Sequence, residues 1–179
     1  MLKREKTALV LIDIQGKLAQ IMQNRERLFQ NLQRIAKGAQ VLGIPIIWMQ
    51  QNPAGLGETI CELKEVLHDH KPINKMSFSC CGDDQFNTTL AQLNCTDILL
   101  AGIEAHVCVY LTAADLQERG YQTHVIADAV SSRTMENYKI GIDKIRECGG
   151  KVTGVETTLF ELLDRAEGPE FKQILQLIK

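Results

Sequence analysis

Asp13 and Cys108 are side chains that could do chemistry, and each follows a predicted strand. Asp13 comes directly after the apolar run Thr7–Ile12, and Cys108 comes a few residues after Gly102, which ends a second apolar run. In a parallel sheet, ligands bind beyond the carboxyl ends of the strands, where the strand order reverses. A carboxylate can accept the proton of a thiol, and the resulting thiolate is a nucleophile. These positions favour a cysteine-dependent site, although a turn aspartate and a buried structural cysteine would also fit them.

Cys108 is expected near the first turn of a helix, where the helix dipole stabilises an anion and lowers the pKa of a thiol. Lys75 lies in a segment predicted to be irregular or only briefly extended, and it would stabilise such a thiolate if it lay close by. His106 is a rival for the role of base, since Cys–His pairs are common. Because His106 comes only two residues before Cys108, we favour a pocket-lining or structural role for it.

Motifs for metal or nucleotide sites are missing from the sequence. His68 and His70 flank one aspartate, a pattern more typical of a polar loop than of a metal site. The six cysteines include no C-x-x-C pair, and the chain has no G-x-G-x-x-G, P-loop or G-x-S-x-G motif. We therefore expect neither a metal nor a cofactor.

Strands and helices alternate along the chain. Apolar runs predict strands at 7–12, 45–50, 97–101, 121–127 and 151–155, and apolar residues at helical spacing predict helices between them. This alternation is typical of an α/β protein with a parallel sheet. Because there is no internal repeat or linker, residues 1–179 are expected to form a single three-layer domain.

The composition of the chain argues against nucleic acid and membranes as binding partners. The 179 residues include 20 Lys+Arg and 22 Asp+Glu, a formal net charge of −2, with no basic stripe for nucleic acid. No apolar run approaches the roughly 20 residues that a membrane helix needs. The charged N-terminus lacks the apolar core of a signal peptide, which predicts a cytoplasmic protein. The expected partner is a small-molecule substrate, with no nucleic acid and no membrane.

Three segments resemble those of the isochorismatase-like cysteine hydrolases. They are VLIDIQ with Asp13, INKMSFS with Lys75 and LLAGIEAHVCV with Cys108, in this order, and the likeness continues through YQTHVIADAVSSR. The chain is most similar to the subgroup of isochorismatase domain-containing proteins. The resemblance implies a three-layer α/β/α sandwich around a six-stranded parallel sheet of order 3-2-1-4-5-6. Residues 1–179 would then be a single isochorismatase-like hydrolase domain.

The resemblance also implies a catalytic triad of Asp13, Lys75 and Cys108. The Ile103–Glu104 peptide bond would be cis, and the backbone N–H groups of Glu104 and Cys108 would form the oxyanion hole. Family members commonly pair through elements around the mouth of the active site. This implies a homo-oligomer, either a dimer or a tetramer.

Departures from the family's patterns bear on the substrate. Isochorismatases have a glycine where this chain has Cys108. Metal-dependent nicotinamidases have Asp-x-His where this chain reads Gln51-Asn52-Pro53. An aromatic residue that often follows the lysine segment is replaced by Cys81. Neither isochorismate nor nicotinamide is therefore the expected substrate.

The sequence favours a cofactor-free cysteine hydrolase that acts on a small amide or related carbonyl compound through a thioester. Its substrate-binding residues would be Gln51, Phe78, Glu104 and His106. The alternative is a non-catalytic or weakly active scaffold that retains the fold and the triad. A ribonuclease activity fits poorly with the net charge of −2.

Overall fold

A parallel sheet of six strands organises the fold. The computed structural model describes residues 1–179, and its sheet has the order β3-β2-β1-β4-β5-β6. The strands are β1 Thr7–Ile12, β2 Ile46–Gln51, β3 Ile73–Lys75, β4 Asp97–Ile103, β5 Gln122–Ser131 and β6 Lys151–Thr153. Every neighbouring pair is parallel, which confirms the expected fold class and strand order.

Helices cover both faces of the sheet. One face carries α2 Arg25–Val41, α4 Cys61–Val66, α8 Val155–Leu163 and α9 Gly168–Ile178. The opposite face carries α5 Asp84–Gln92, α6 Tyr110–Glu118 and α7 Met135–Glu147. The short elements are α1 Gly16–Gln20, α3 Pro53–Leu56, 3-10 turns at Arg4–Lys6 and Cys80–Gly82, and a π-helical turn at Ala105–Val109.

The central strand β1 is buried along its whole length. Its side chains alternate between the two cores: Leu9 and Leu11 enter one, and Val10 and Ile12 enter the other. A strand with helices on both sides has no solvated face, and this is why its sequence is a continuous apolar run. β1 therefore fixes the position of Asp13, the residue that follows it.

Strand β3 lies in the segment that the sequence predicted to be irregular or briefly extended. It has three residues, of which Ile73 and Lys75 are buried and Asn74 is exposed. A run this short, with a lysine at a buried position, gives no apolar pattern from which a strand could be predicted. The predicted fourth strand at 121–127 also continues further, to Ser131, after a shift in its register with β4.

Gly102, near the end of β4, permits close approach to β1. Its φ is +126°, and a Cβ atom built there would lie 2.1 Å from the backbone oxygen of Ile12. The backbones of Gly102 and Ile12 are both held in the sheet, so neither residue can shift without disrupting the pairing of β1 with β4. Gly102 thus sets the spacing between the two strands that lead to Asp13 and Glu104.

We expect Gly102→Ala to lower the free energy of unfolding by about 3 kcal/mol or more, since the clash adds to an unfavourable φ. Urea denaturation measures this loss. Gly43→Ala is the matched control, because Gly43 has a positive φ of +68° but nothing within 4 Å of the added atom. Its expected loss is only about 1–2 kcal/mol. Equal losses in the two variants would contradict the role assigned to Gly102.

Candidate active site

Asp13 follows β1 and is almost fully buried, with 2% of its surface exposed. Its φ of +54° is in the left-handed region, which aspartate tolerates better than most residues. The Asp13 N–H donates to the Met49 carbonyl at 3.2 Å, which ties this turn to β2. The backbone thus leaves the strand direction at Asp13, at the carboxyl edge of the sheet.

Lys75 ends β3, and its ammonium group lies beside Asp13. The distance from Lys75 Nζ to Asp13 Oδ2 is 2.7 Å, and the Lys75 side chain has no exposed surface. Nζ also donates to Gln51 Oε1 at 2.6 Å and to the carbonyls of Ser77 and Phe78 at 3.1 and 3.0 Å. A buried ammonium is tolerated when it is paired and hydrogen-bonded in this way.

Cys108 lies in the π-helical turn Ala105–Val109, just before α6. It is buried, with 8% exposed. Helix α7 packs closely on this turn because Gly141 has no side chain: a Cβ atom there would lie 2.5 Å from the carbonyl carbon of Ala105. A π-helical turn is uncommon and often occurs at functional sites. Here it brings the thiol within interaction range of the Asp13 carboxylate.

The pKa values of this pair are both raised. Burial raises the pKa of Asp13, although the charge and hydrogen bond of Lys75 act against the rise. Burial, followed by the Asp13 carboxylate, raises the pKa of Cys108 to about 12, and Lys75 partly offsets this. The expectation of a lowered thiol pKa is therefore wrong, because burial and the neighbouring carboxylate outweigh the helix start.

Asp13 Oδ1 is buried and has no hydrogen-bond partner. Buried polar atoms in folded proteins are nearly always paired, so an unpaired one needs an explanation. Oδ2 of the same carboxylate accepts a hydrogen bond from Lys75 Nζ. The free oxygen is thus the acceptor available for a proton from Cys108 or from a bound molecule.

The predicted pocket residues Gln51 and Phe78 are placed differently from one another. Gln51 is buried, and both polar atoms of its side-chain amide are hydrogen-bonded. Oε1 accepts from Lys75, and Nε2 donates to the Met76 carbonyl at 2.8 Å. Phe78 has 60% of its surface exposed, and its carbonyl accepts from Lys75. Gln51 is therefore placed to hold Lys75, while the Phe78 ring lies at the surface.

Glu104 and His106 lie on the turn that precedes Cys108. The peptide bond between Ile103 and Glu104 is cis. Oε1 of Glu104 accepts from the backbone N–H and Nε of Arg133, at 3.2 and 3.0 Å. His106 Nδ1 lies 3.0 Å from the Oγ atom of Ser132, the residue that follows β5. Its hydrogen-bond partner is therefore Ser132 and not Cys108.

Sequence reasoning missed Arg133, Ser132 and Cys80. Arg133 and Ser132 follow the longer β5, whose true end the apolar pattern did not show. Cys80 is fully buried near the site, where Lys75, Asp13 and Cys108 all influence its thiol, and burial raises its pKa. Only its closeness in sequence to Lys75 could have drawn attention to it.

Two further features concern metals and membranes. No three His, Cys, Asp or Glu side chains are grouped so that they could hold a metal ion. His68 and His70 are not part of any such group. None of the helices combines the length and apolar character needed to cross a membrane.

Comparison with known proteins gives consistent matches over most of the chain. Residues 7–157 match the isochorismatase domain. A secreted isochorismatase effector of Phytophthora sojae is 38% identical over 151 residues, which cover 81% of this chain and 71% of the effector. Isochorismatase domain-containing protein 2 of Danio rerio is 33% identical over 177 residues, 99% of this chain and 89% of that protein.

A solved structure described as the MAR1 ribonuclease of Caenorhabditis elegans also matches. It is 35% identical, superposes with a TM-score of 0.92, and the match covers 99% of this chain and 91% of that one. The relatives thus carry different descriptions, one of them as a secreted protein and one as a ribonuclease. The cytoplasmic location and the exclusion of nucleic acid stay predictions for this chain.

We expect Lys75→Met to lower the free energy of unfolding by about 3–5 kcal/mol, because it leaves the Asp13 carboxylate buried without a cation. The double variant Asp13→Asn/Lys75→Met removes both charges and should lose less than Lys75→Met alone. Urea denaturation of the three proteins measures this difference.

The surface pair Glu58–Lys64 is the control, since its nitrogen and oxygen are 2.6 Å apart but both side chains are exposed. Lys64→Met should have a far smaller effect, because water screens that pair. If the double variant were the least stable protein of the set, burial would not be the source of the effect.

Proposed function

Because the chain belongs to the isochorismatase domain family, a family with a hydrolase fold, we propose that it is a cofactor-free cysteine hydrolase of small amides or related carbonyl compounds. One observation carries the proposal. The Asp13 carboxylate is buried, accepts a hydrogen bond from Lys75 through one oxygen, has a second oxygen without a partner, and interacts with the thiol of Cys108. The proposal assigns Asp13 as the base, Lys75 as the cation and Cys108 as the nucleophile, all three in a buried site.

In the proposed first step, Asp13 accepts the proton of Cys108 as the sulfur attacks the carbonyl carbon. A C–S bond forms, and the carbonyl oxygen becomes an oxyanion. The backbone N–H groups of Glu104 and Cys108 donate to that oxyanion. In this step the proton moves from sulfur to Asp13 and the negative charge moves from Asp13 to the oxyanion, so the site carries one negative charge before and after the attack.

In the second step, Asp13 returns the proton to the leaving nitrogen as the C–N bond breaks, which leaves a thioester on Cys108. Asp13 then accepts a proton from water, whose oxygen attacks the thioester carbonyl. The C–S bond breaks, the acid product leaves, and the proton returns to the thiol. Raised pKa values suit this exchange, because a stronger base on Asp13 compensates for a weaker acid on Cys108.

Ribonuclease activity is the second candidate, because a structure 35% identical over 99% of this chain is described as a ribonuclease. The candidate residues of this chain do not favour it. Only 2% of Asp13 and 1% of Lys75 is exposed. A polynucleotide could not reach these side chains without a rearrangement of the protein. A net charge of −2 also provides no electrostatic attraction for RNA.

The test of function is a screen of small amides and carbamoyl compounds for ammonia release, with single-stranded RNA cleavage measured in parallel. We expect turnover of at least one amide by the natural protein and none by Cys108→Ala. RNA cleavage that is lost in Cys108→Ala would favour the ribonuclease, and no turnover of any compound would favour the scaffold.

We expect Asp13→Asn to abolish turnover yet speed alkylation of Cys108 by iodoacetamide at pH 8. The amide cannot accept a proton, but its neutrality removes a charge that raises the thiol pKa, and Lys75 then faces the sulfur alone. Mass spectrometry of the labelled peptides separates Cys108 from Cys61, the exposed cysteine that serves as internal reference. Slower labelling of Cys108 in Asp13→Asn would contradict this account of the pair.

We also propose that the chain forms a homo-oligomer through the apolar residues next to the site. Met76 and Phe78 follow Lys75 directly, and 74% and 60% of their surfaces are exposed. Contiguous exposed apolar patches mark interaction sites, and these two side chains are the proposed centre of such a patch. Light scattering at micromolar concentration should give a dimer or tetramer, and Met76→Ser/Phe78→Ser should shift it towards monomer. A monomeric natural protein would refute the proposal.

A further inference from the structure

Two side chains hydrogen-bond to the Lys75 ammonium, and only one of them is charged. Asp13 Oδ2 lies 2.7 Å from Nζ, and Gln51 Oε1 lies 2.6 Å from it on another side. An ammonium has three protons, and the carbonyls of Ser77 and Phe78 provide the remaining acceptors. Gln51 therefore gives Lys75 a short hydrogen bond without giving it a second negative charge.

The amide of Gln51 can be oriented in one way only. Its Nε2 donates to the Met76 carbonyl at 2.8 Å, and a flipped amide would set that nitrogen against the ammonium and an oxygen against the carbonyl. The backbone is fixed as well. The Gln51 N–H donates to Gln15 Oε1 at 2.6 Å, and Gln15 Nε2 donates back to the Gln51 carbonyl at 3.1 Å. The contact with Lys75 is therefore built into the sheet edge.

The charged side chains around the contact between Gln51 and Lys75 form two pairs of opposite charge, Lys75 with Asp13 and Arg133 with Glu104. Lys75 faces the Asp13 carboxylate, and the thiols of Cys108 and Cys80 lie nearby. Glu104 acts on Cys108 from the π-helical turn, and Arg133 pairs with Glu104. A carboxylate at position 51 would leave one excess negative charge in a buried space, and this would favour protonated Asp13 and a protonated thiol.

We propose that Gln51 is a positioning residue whose neutral oxygen fixes Lys75 while leaving its whole charge to the Asp13–Cys108 pair. The amide thereby sets the pH range in which Asp13 is ionised and Cys108 can lose its proton. This deepens the proposed function, since it concerns the same site. It also assigns Gln51 a role different from the substrate contact expected from the sequence.

Three variants test the role. Gln51→Glu keeps the acceptor oxygen and adds a charge. Gln51→Met has a similar length and removes the acceptor, but Lys75 keeps three acceptors for its three protons. Gln50→Glu is the matched control: it adds the same charge one residue earlier, where the side chain contacts Thr59 at 2.8 Å on the other face of β2. Urea denaturation first establishes that each protein is folded.

The first readout is the rate of Cys108 alkylation by iodoacetamide at pH 9, which needs no substrate. We expect Gln51→Glu to label at least about tenfold more slowly than the natural protein, since one pKa unit is a tenfold change in thiolate. Gln51→Met and Gln50→Glu should label within about threefold of it. Equal slowing by Gln51→Glu and Gln51→Met would mean that Gln51 acts only through packing, and no slowing by Gln51→Glu would also overturn the proposal.

The second readout uses an amide substrate from the screen. The acid limb of kcat/KM should move up by about one pH unit in Gln51→Glu and should stay in place in Gln51→Met, whose kcat falls. If no amide is hydrolysed but alkylation follows the expected order, the hydrolase proposal fails and the role of Gln51 stands. If amides are hydrolysed but the acid limb does not move in Gln51→Glu, the hydrolase proposal stands and the role of Gln51 fails.

Discussion

The buried ion pair between Asp13 and Lys75 is the interaction on which the rest of the site depends. Its oxygen and nitrogen are 2.7 Å apart, and neither side chain is exposed by more than 2%. Removing two charges from water costs several kcal/mol for each ion, so such a pair persists only when its geometry is held by the surrounding fold. That requirement explains why so much of the sheet edge converges on these two residues.

Three strands meet this requirement together. β1 brings Asp13 to the edge of the sheet, β3 brings Lys75, and β2 lies between them and contributes Gln51. On the other side of β1, close contact at Gly102 sets the path of β4 into the turn that carries Cys108. Each group comes from a different strand, so a shift in any one register would separate Asp13, Lys75 and Cys108.

Much of this arrangement could be predicted from the sequence. The alternation of strands and helices indicated the fold class, and the position of Asp13 after a buried strand predicted its place at the carboxyl edge of the sheet. The order of the strands and the role of Lys75 came from a family resemblance, because three residues of β3 carry no pattern of their own. The pairing of Glu104 with Arg133 depends on where β5 ends, which a register shift within the sheet decides.

The sign of the thiol pKa shift shows most clearly what sequence reasoning lacked. A helix start favours a thiolate, and this local rule is correct by itself. It fails here because burial and the carboxylate of Asp13, a residue far away in sequence, both disfavour a second anion. With one cation beside two acidic groups, a second negative charge is disfavoured, so an ionised Asp13 opposes ionisation of Cys108. In the proposed mechanism the thiolate is therefore formed at the moment of attack, by proton transfer to Asp13, and the protonated thiol is less open to adventitious reaction before a carbonyl is bound beside it.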